Sequence, residues 1–278
     1  MAQHPSDSPA FALSVLASSS LHHTSSFFDV LHTHAPQALA ALANAGQPLM
    51  SSLAQHSVDG TTVLALVFAD GVIIAGDRRA TSGHLIARSD MRKVFPADAY
   101  SAVAISGAAG PAVDLAKLFA TELEHYEKVE GHTLSLDGRA TKLAAMVRAH
   151  LPLTLQGLIV VPLFAGFDPH TNTAQIYEYD PIGGKYLAQS YAATGSGSLV
   201  AKGTLKRVHR ATVDERRAVT TALDALVDAA EADSATGGPD QLRHIYPLIA
   251  VIDSAGYREY ADSDVATIVD DVFAQRGQ

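Results

Sequence analysis

The pattern of apolar and polar positions changes at residue 61. Two apolar, β-branched runs, Thr61–Phe68 and Val72–Gly76, flank Asp70-Gly71, a pair that suits a tight hairpin turn. Shorter apolar or alternating runs predict further strands at His84–Arg88, Lys93–Phe95, Ala99–Ser106, Leu158–Phe167, Thr173–Tyr179, Gly184–Ser190, Ile245–Asp253 and Tyr257–Tyr260. The chain from residue 61 is therefore predicted to be rich in strands and to begin with a buried hairpin.

Helical spacing of apolar residues appears between these strands. It predicts helices at Ala109–Lys128, Arg139–Leu151, from Ser198 to His209, Asp214–Asp233 and Asp262–Gln275. Gly131 and Pro152 are expected to end the first two, and Asp214 is expected to cap the fourth. Two sheets packed face to face between helix layers accommodate this order of elements with one core. We therefore predict an α+β fold, a four-layer αββα sandwich.

The first sixty residues differ in composition from the rest. They contain no Lys or Arg and three acids, and they are rich in Ala, Ser and His. Residues 25–31 and 36–49 could form short helices. Termini are often loose, but so sharp a break favours a cleaved propeptide at 1–60 followed by one domain at 61–278. No metal is predicted, because the spacing of the histidines in this segment matches no ligand set (His4, His22, His23, His32 and His34).

The net charge and the absence of cysteine exclude several classes of function. The net charge of −9 argues against binding to nucleic acid or to an anionic membrane. The chain has no cysteine, which excludes disulfides, thiolate metal sites and a cysteine nucleophile. No apolar run reaches the roughly 20 residues that span a bilayer. The first basic residue is Arg78, so a secretory signal with a charged start is not expected. These features together predict a cytoplasmic protein.

The junction between Gly60 and Thr61 is the first candidate for chemistry. A cut there would make Thr61 a new N-terminus, which carries a hydroxyl nucleophile and an α-amino base close together. Taken alone, Thr61 would more often be an ordinary strand residue, because threonine favours strands.

Several short motifs after this junction carry a resemblance to a known family. They are Gly60-Thr61-Thr62, Gly76-Asp77-Arg78-Arg79-Ala80-Thr81, Lys93-Val94-Phe95, Ser106-Gly107-Ala108-Ala109-Gly110, Gly195-Ser196-Gly197-Ser198 and Asp233-Ser234-Ala235-Thr236-Gly237-Gly238. In this order and spacing, from Thr61 to about Asp271, the sequence resembles the β subunit of the 20S proteasome, most closely the actinobacterial type. That family belongs to the N-terminal nucleophile hydrolases, whose fold is an αββα sandwich of two antiparallel sheets.

The resemblance implies a role for each matching residue. Thr61 becomes the nucleophile of a threonine peptidase that cleaves itself after Gly60. Lys93, paired with Asp77, becomes the charged neighbour that lowers the cost of a threonine alkoxide. The backbone N–H of Gly107 becomes the oxyanion donor. A supporting network around the threonine amine is implied for Ser196, Asp233 and Thr236. Many family members have serine at the last of these positions, so this chain keeps the hydroxyl.

Taken separately, these residues also fit ordinary roles. Lys93 could be a solvated surface lysine, and Asp77 a turn acid after a glycine. Gly107 could simply end a strand, and Ser196 could cap a helix.

The resemblance also implies a substrate cleft. Arg79 and Thr81 would line it, and the Thr81 backbone would pair with an extended substrate as an added strand. The pocket for the residue before the cut would be formed by Ala80, Met91, Phe95, Ile105, Ala109 and Val113. All are apolar, and each could instead be plain core. A pocket without charge favours large hydrophobic side chains.

Partners follow from the family as well. The implied assembly is a barrel of two inner β heptamers capped by two α heptamers, fed with unfolded proteins by a ring ATPase and needing no cofactor. Two alternative functions stay open: a non-catalytic ring subunit, and a related bacterial peptidase that works with a ring unfoldase. The rival peptidase starts near its threonine, so the leader of sixty residues argues against it. A structural subunit would be expected to lack Thr61, Asp77 or Lys93.

Overall fold

The computed structural model describes residues 60–277. The short helices predicted at 25–31 and 36–49, the proposed propeptide up to Asp59 and the five histidines lie outside the described residues. Within residues 60–277, no helix is long and apolar enough to cross a membrane.

Twelve strands and six helices make up the described part of the chain. The strands are β1 Thr62–Phe68, β2 Gly71–Gly76, β3 Ala80–Ser82, β4 Leu85–Arg88, β5 Val94–Asp98, β6 Ser101–Gly107, β7 Val160–Asp168, β8 Thr173–Tyr179, β9 Lys185–Ala188, β10 Tyr191–Gly195, β11 Leu248–Asp253 and β12 Gly256–Glu259. The helices are α1 Ala109–Glu130, α2 Leu136–Ala149, α3 Leu151–Thr154, α4 Ser198–Val208, α5 Glu215–Ala232 and α6 Asp262–Arg276.

The strands form two five-stranded antiparallel sheets and one small hairpin. The first sheet has the order β10-β1-β2-β11-β12, and the second has the order β5-β6-β7-β8-β9. The hairpin pairs β3 with β4. Strand β1 lies inside the first sheet, so the residues at its start are surrounded by backbone on both sides.

Alternation along the strands divides the core into three parts. On β1, Leu64 and Leu66 face helices α4 to α6, whereas Val63 and Ala65 face the second sheet. The opposite face of the second sheet packs against α1 and α2. The order of layers is therefore helix, sheet, sheet, helix, and the predicted sandwich fold is confirmed.

Two strands escaped prediction because the sequence does not show where the chain changes sheets. A single strand was expected at Gly184–Ser190. The structure instead has β9 in the second sheet and, after a two-residue bend, β10 in the first. Strand β3 is only three residues long, and its hydrophobic pattern is too short to read.

Two predicted boundaries moved for local reasons. Strand β5 continues through Pro96, which is tolerated because β5 is an edge strand that can lack a backbone donor. Helix α2 begins at Leu136, earlier than predicted, because the Ser135 hydroxyl caps it by accepting from the Gly138 amide at 3.1 Å. The prediction that Pro152 ends α2 was wrong: α2 ends at Ala149, and Pro152 lies in the first turn of the short helix α3.

Candidate active site

A buried ion pair lies where the chain enters β1. Lys93, just before β5, donates to Oδ1 of Asp77, just after β2, at 2.6 Å. The two side chains are 1% and 0% exposed. A buried charge needs a partner and hydrogen bonds to all its polar atoms. The sequence-predicted pair is therefore formed.

The Asp77 carboxylate has both oxygens saturated. Besides Lys93, Oδ1 accepts from the Thr62 amide at 2.8 Å. Oδ2 accepts from the amides of Arg79 at 2.9 Å and Gly237 at 2.8 Å. Four donors on one carboxylate fix its orientation. Asp77 therefore ties the starts of β1 and β3 to the loop after α5.

The carbonyl oxygen of Gly60 is the meeting point of this cluster. The Thr61 hydroxyl donates to it at 2.6 Å, and the Lys93 ammonium donates to it at 3.0 Å. A Cβ on Gly60 would lie 2.6 Å from the Ala235 carbonyl oxygen and would clash with the Thr81 hydroxyl. Only glycine therefore fits before Thr61 in this arrangement.

Burial lowers the pKa of Lys93 below 10.5, and the adjacent Asp77 carboxylate acts in the opposite direction. Desolvation disfavours the ammonium, while the charge and hydrogen bond of Asp77 favour it. A lysine with a lowered pKa can hold or release a proton beside the Thr61 hydroxyl.

A second cluster lies at the ends of β10 and α5. The hydroxyls of Ser196 and Thr236 both donate to Oδ2 of Asp233 at 2.6 Å. The Ala235 amide donates to the other carboxylate oxygen at 3.1 Å. Burial raises the pKa of Asp233, but these hydrogen bonds and the charge of Lys93 outweigh it, so the pKa lies below 3.8.

The second cluster contacts the backbone of Thr61 directly. The amide of Ser196 donates to the Thr61 carbonyl oxygen at 2.8 Å, and the Ser196 hydroxyl lies 3.2 Å from the same oxygen. The register that pairs Thr62 with Gly195 places them side by side. Thr61 therefore lies between the Lys93–Asp77 pair and the Ser196–Asp233–Thr236 group.

Arg79 and Thr81, expected in a cleft, are both close to this site. The Arg79 guanidinium donates to the carbonyl oxygens of Ser234 at 3.0 Å and Thr236 at 3.2 Å. Its contacts among the described residues hold the loop that carries Thr236. Thr81 is buried on β3, and its hydroxyl lies next to Gly60.

Gly107 occupies the last position of β6, with a φ of +97°. A Cβ there would clash with the Ile159 carbonyl oxygen of the neighbouring segment. The glycine is therefore required by the backbone conformation and by that close approach, in addition to any role toward a substrate. Ser106, one residue earlier, lies 3.2 Å from the Thr194 hydroxyl on β10, and so links the two sheets near the site.

The expected pocket residues are only partly brought together. Phe95 and Val113 pack against the core cluster that contains Ile105, between the second sheet and α1. Ala109 begins α1 nearby. Of the remaining two, Ala80 is on β3 and Met91 is in the loop before β5.

One hydroxyl at the site was missed from the sequence. Thr62 is 0% exposed and lies 2.6 Å from the Thr236 hydroxyl. Its signal was its polarity: it is the one polar residue of a seven-residue strand that is otherwise apolar. Threonine is so common in strands that this signal had no weight alone.

Comparison with known proteins gives a consistent result. Residues 58–245 match the family model described as "Proteasome subunit". The chain is 49% identical over 253 residues to a "Proteasome subunit beta" of Frankia casuarinae, covering 91% of each chain. It is 52% identical over 221 residues to one from Acidothermus cellulolyticus, covering 78% of this chain and 76% of the relative. The chain therefore belongs to the proteasome subunit family, among its β subunits.

Proposed function

We propose that this chain is the precursor of a catalytic β subunit, a threonine peptidase whose nucleophile is the Thr61 hydroxyl. One observation carries the proposal. The Thr61 hydroxyl and the Lys93 ammonium both donate to the carbonyl oxygen of Gly60, the residue that precedes the nucleophile. The atom that attacks, the bond that breaks and a group that polarises the carbonyl are thus in contact.

The first step is the removal of residues 1–60. The Thr61 oxygen adds to the Gly60 carbonyl carbon while its proton passes to a nearby base, and the Lys93 ammonium stabilises the oxygen that becomes negative. Collapse breaks the bond between the carbonyl carbon and the Thr61 nitrogen, which takes up a proton. The resulting ester is hydrolysed by water. The products are a Gly60 carboxylate and a Thr61 with free hydroxyl and free amine.

Peptide hydrolysis repeats this chemistry on a substrate. The Thr61 hydroxyl attacks the peptide carbonyl, and the free amine, with a reference pKa near ~8, accepts the proton. Lys93, held by Asp77, lowers the energy of the developing alkoxide. The Gly107 amide stabilises the oxyanion. Asp233, with its two hydroxyl partners, orients the amine of Thr61.

The apolar surroundings support a preference for large hydrophobic side chains before the cut. Phe95 and Val113 lie against the cluster that contains Ile105, and none of the three carries a charge. An uncharged pocket selects by size and burial of apolar area. We propose that Ala80, Met91 and Ala109 complete the pocket, and that the Thr81 backbone pairs with the substrate.

The proposed setting is the barrel in which such β subunits work in the cytoplasm. It would contain α and β rings, and a ring ATPase would supply unfolded proteins. Several large apolar side chains are exposed on this chain, including Leu85 at 75%, Leu199 at 84% and Leu242 at 89%. Exposed apolar side chains of this size are suited to subunit contacts.

A structural, non-catalytic subunit is the second candidate. A structural role would not require the ammonium of a buried lysine to donate to the carbonyl oxygen that precedes the threonine. The saturated Asp77 and the contact of Lys93 with Gly60 therefore favour the catalytic role.

The test is the intact mass and peptidase activity of the full chain after co-expression with its α subunit. We expect loss of residues 1–60, a new N-terminus at Thr61 and cleavage of a fluorogenic peptide. Thr61→Ala should keep the leader and show no activity. The matched control is Thr173→Ala, which removes an exposed threonine hydroxyl at the start of β8 and should be processed normally. Assembled rings that keep the leader in the unmodified chain would overturn the proposal.

A further inference from the structure

The Thr62 side chain lies at the centre of a buried chain of hydrogen bonds. Its hydroxyl accepts from the Gly197 amide at 3.0 Å and lies 2.6 Å from the Thr236 hydroxyl. Thr62 and Thr236 are both 0% exposed. A Cβ on Gly197 would clash with the Thr62 oxygen, so the three groups meet in a space that only glycine leaves open. No bulk water can replace a partner there.

Counting protons fixes the donor and the acceptor in each of these hydrogen bonds. A hydroxyl has one proton, and an ionised carboxylate only accepts. The Thr236 hydroxyl gives its proton to Asp233 at 2.6 Å. The proton between Thr62 and Thr236 must therefore come from Thr62. The order is Gly197 amide to Thr62, Thr62 to Thr236, and Thr236 to the Asp233 carboxylate.

The direction of these hydrogen bonds affects how strongly the charged form of Asp233 is stabilised. Hydrogen bonds in a chain polarise one another, and they do so more strongly when the last acceptor is charged. If the Thr62 hydroxyl were absent, Thr236 would lose the donor that keeps its own proton turned toward Asp233. The charged form of Asp233 would then be less stabilised.

We propose that Thr62 is a positioning residue: its hydroxyl holds Thr236 as a donor to Asp233, and through Asp233 it orients the amine of Thr61. It touches neither substrate nor the reacting atoms. The inference deepens the proposed function and rests on it for the role of the amine. The hydrogen-bond chain itself can be tested without peptidase activity.

The test uses the full chain, co-expressed with its α subunit, with two substitutions at this position. Thr62→Val removes the hydroxyl at nearly constant shape, and Thr62→Ser keeps it. For the valine variant we expect kcat to fall by about three- to tenfold, the worth of one or two hydrogen bonds, with KM unchanged. T62S, which keeps the donor, should keep the unmodified kcat.

The matched control is Thr221→Val on α5. Thr221 is 5% exposed, and its hydroxyl donates to the Arg217 carbonyl oxygen within the helix, away from the site. It removes a buried hydroxyl of the same kind and should leave kcat unchanged. If T62V does not assemble, Thr62→Cys, with a weak S–H donor, should show a smaller fall in kcat.

A second measurement does not depend on catalysis. In the uncleaved Thr61→Ala chain, Asp233 with its lowered pKa stabilises the fold above pH 3.8, and this contribution is lost as the pH falls through the lowered value. Adding T62V should reduce this pH-dependent part, whereas T62S and T221V should not.

The outcomes separate the two proposals. An unchanged kcat and an unchanged acid stability in T62V would overturn the role of Thr62, and so would equal effects of T62V and T62S. Absence of peptidase activity in the unmodified chain would instead count against the proposed function. The acid stability of the uncleaved chain would still decide the role of Thr62.

Discussion

Two buried ion pairs in this molecule look alike and differ in what surrounds them. Lys93–Asp77 lies at the start of β1, and Arg139–Asp98 joins α2 to the end of β5. Both cations are almost fully buried, with side chains 1% and 6% exposed. Both pairs therefore pay a desolvation cost that their contacts must offset.

The pair at α2 is bound by fewer contacts. The Arg139 Nε atom lies 2.9 Å from Asp98, and its Nη1 atom is buried without a hydrogen-bond partner among the described residues. Asp98 also accepts from the Tyr100 amide at 2.9 Å and the Ser101 hydroxyl at 2.8 Å. These partners belong to the adjacent turn, so the pair fastens a helix to a sheet.

The comparison shows what distinguishes a site for chemistry from a structural contact. At Asp77 every carboxylate acceptor is used, and the cation still has a donor left for the Gly60 carbonyl. Lysine can also lose a proton in a buried position, whereas arginine stays charged. Both ion pairs are thus buried. They differ in the cation, lysine or arginine, and in the further hydrogen bond that Lys93 donates to the Gly60 carbonyl oxygen.

The largest expected effect comes from removing one carboxylate. Asp77→Asn leaves Lys93 buried without a counter-charge and turns an NH2 group toward backbone donors. We expect the free energy of unfolding to fall by about 3–5 kcal/mol, together with loss of processing. Asp98→Asn should cost less, roughly 1–3 kcal/mol, because Asp98 is 14% exposed and its partner keeps some contact with water.

Urea unfolding of both variants in the uncleaved Thr61→Ala chain measures this difference. That background keeps the leader on every protein, so changes in processing cannot alter the result. Equal destabilisation by the two asparagine variants would show that the extra contacts of Asp77 do not stabilise the fold.

Replacing lysine with arginine in one pair, and arginine with lysine in the other, changes the cation while keeping its charge. Lys93→Arg retains a positive group but replaces the compact ammonium that donates to the Gly60 carbonyl oxygen with a larger, planar guanidinium. Processing and peptidase rates should fall by at least about a hundredfold, the lower end of what one donor to a developing oxyanion contributes. Arg139→Lys, the matched exchange in the structural pair, should leave both rates unchanged. Rates that survive K93R would mean that Lys93 supplies only its charge.

The same comparison shows how far the sequence could predict the site. Asp77 and Lys93 were predicted as a pair because they lie in short motifs that match a family. Arg139 and Asp98 lie in no motif, so the second buried pair could not be foreseen. Long-range pairing depends on how β5 and α2 pack, and the hydrophobic pattern of either element says nothing of its partner.

The fold was predicted more completely than the contacts. All the helices of the described residues except the four-residue α3, and most of the strands, followed from periodicity, and the layers followed from their order. The change of sheet between β9 and β10 did not, because two residues of bend decide it. That change brings β10 beside β1 and so Ser196 to Thr61. Thr62 was missed for a similar reason, since its partners come from α4 and the loop after α5.

The smallest expected effect is a pH dependence of the free energy of unfolding, and of the two pairs only Lys93–Asp77 should produce it. The pKa of Lys93 is lowered from 10.5 by burial, so between the lowered value and pH 10.5 the unfolded chain binds more protons than the folded chain. The free energy of unfolding therefore rises with pH in this window, by at most about 1.4 kcal/mol per pH unit. Lys93→Met should abolish the rise, because methionine does not titrate. Arg139→Met should keep it, although it lowers stability at every pH. Urea midpoints of the uncleaved chain, measured across this pH window, give the pH slope of stability for each variant. A rise in stability that persists in K93M would have to come from the titration of another group.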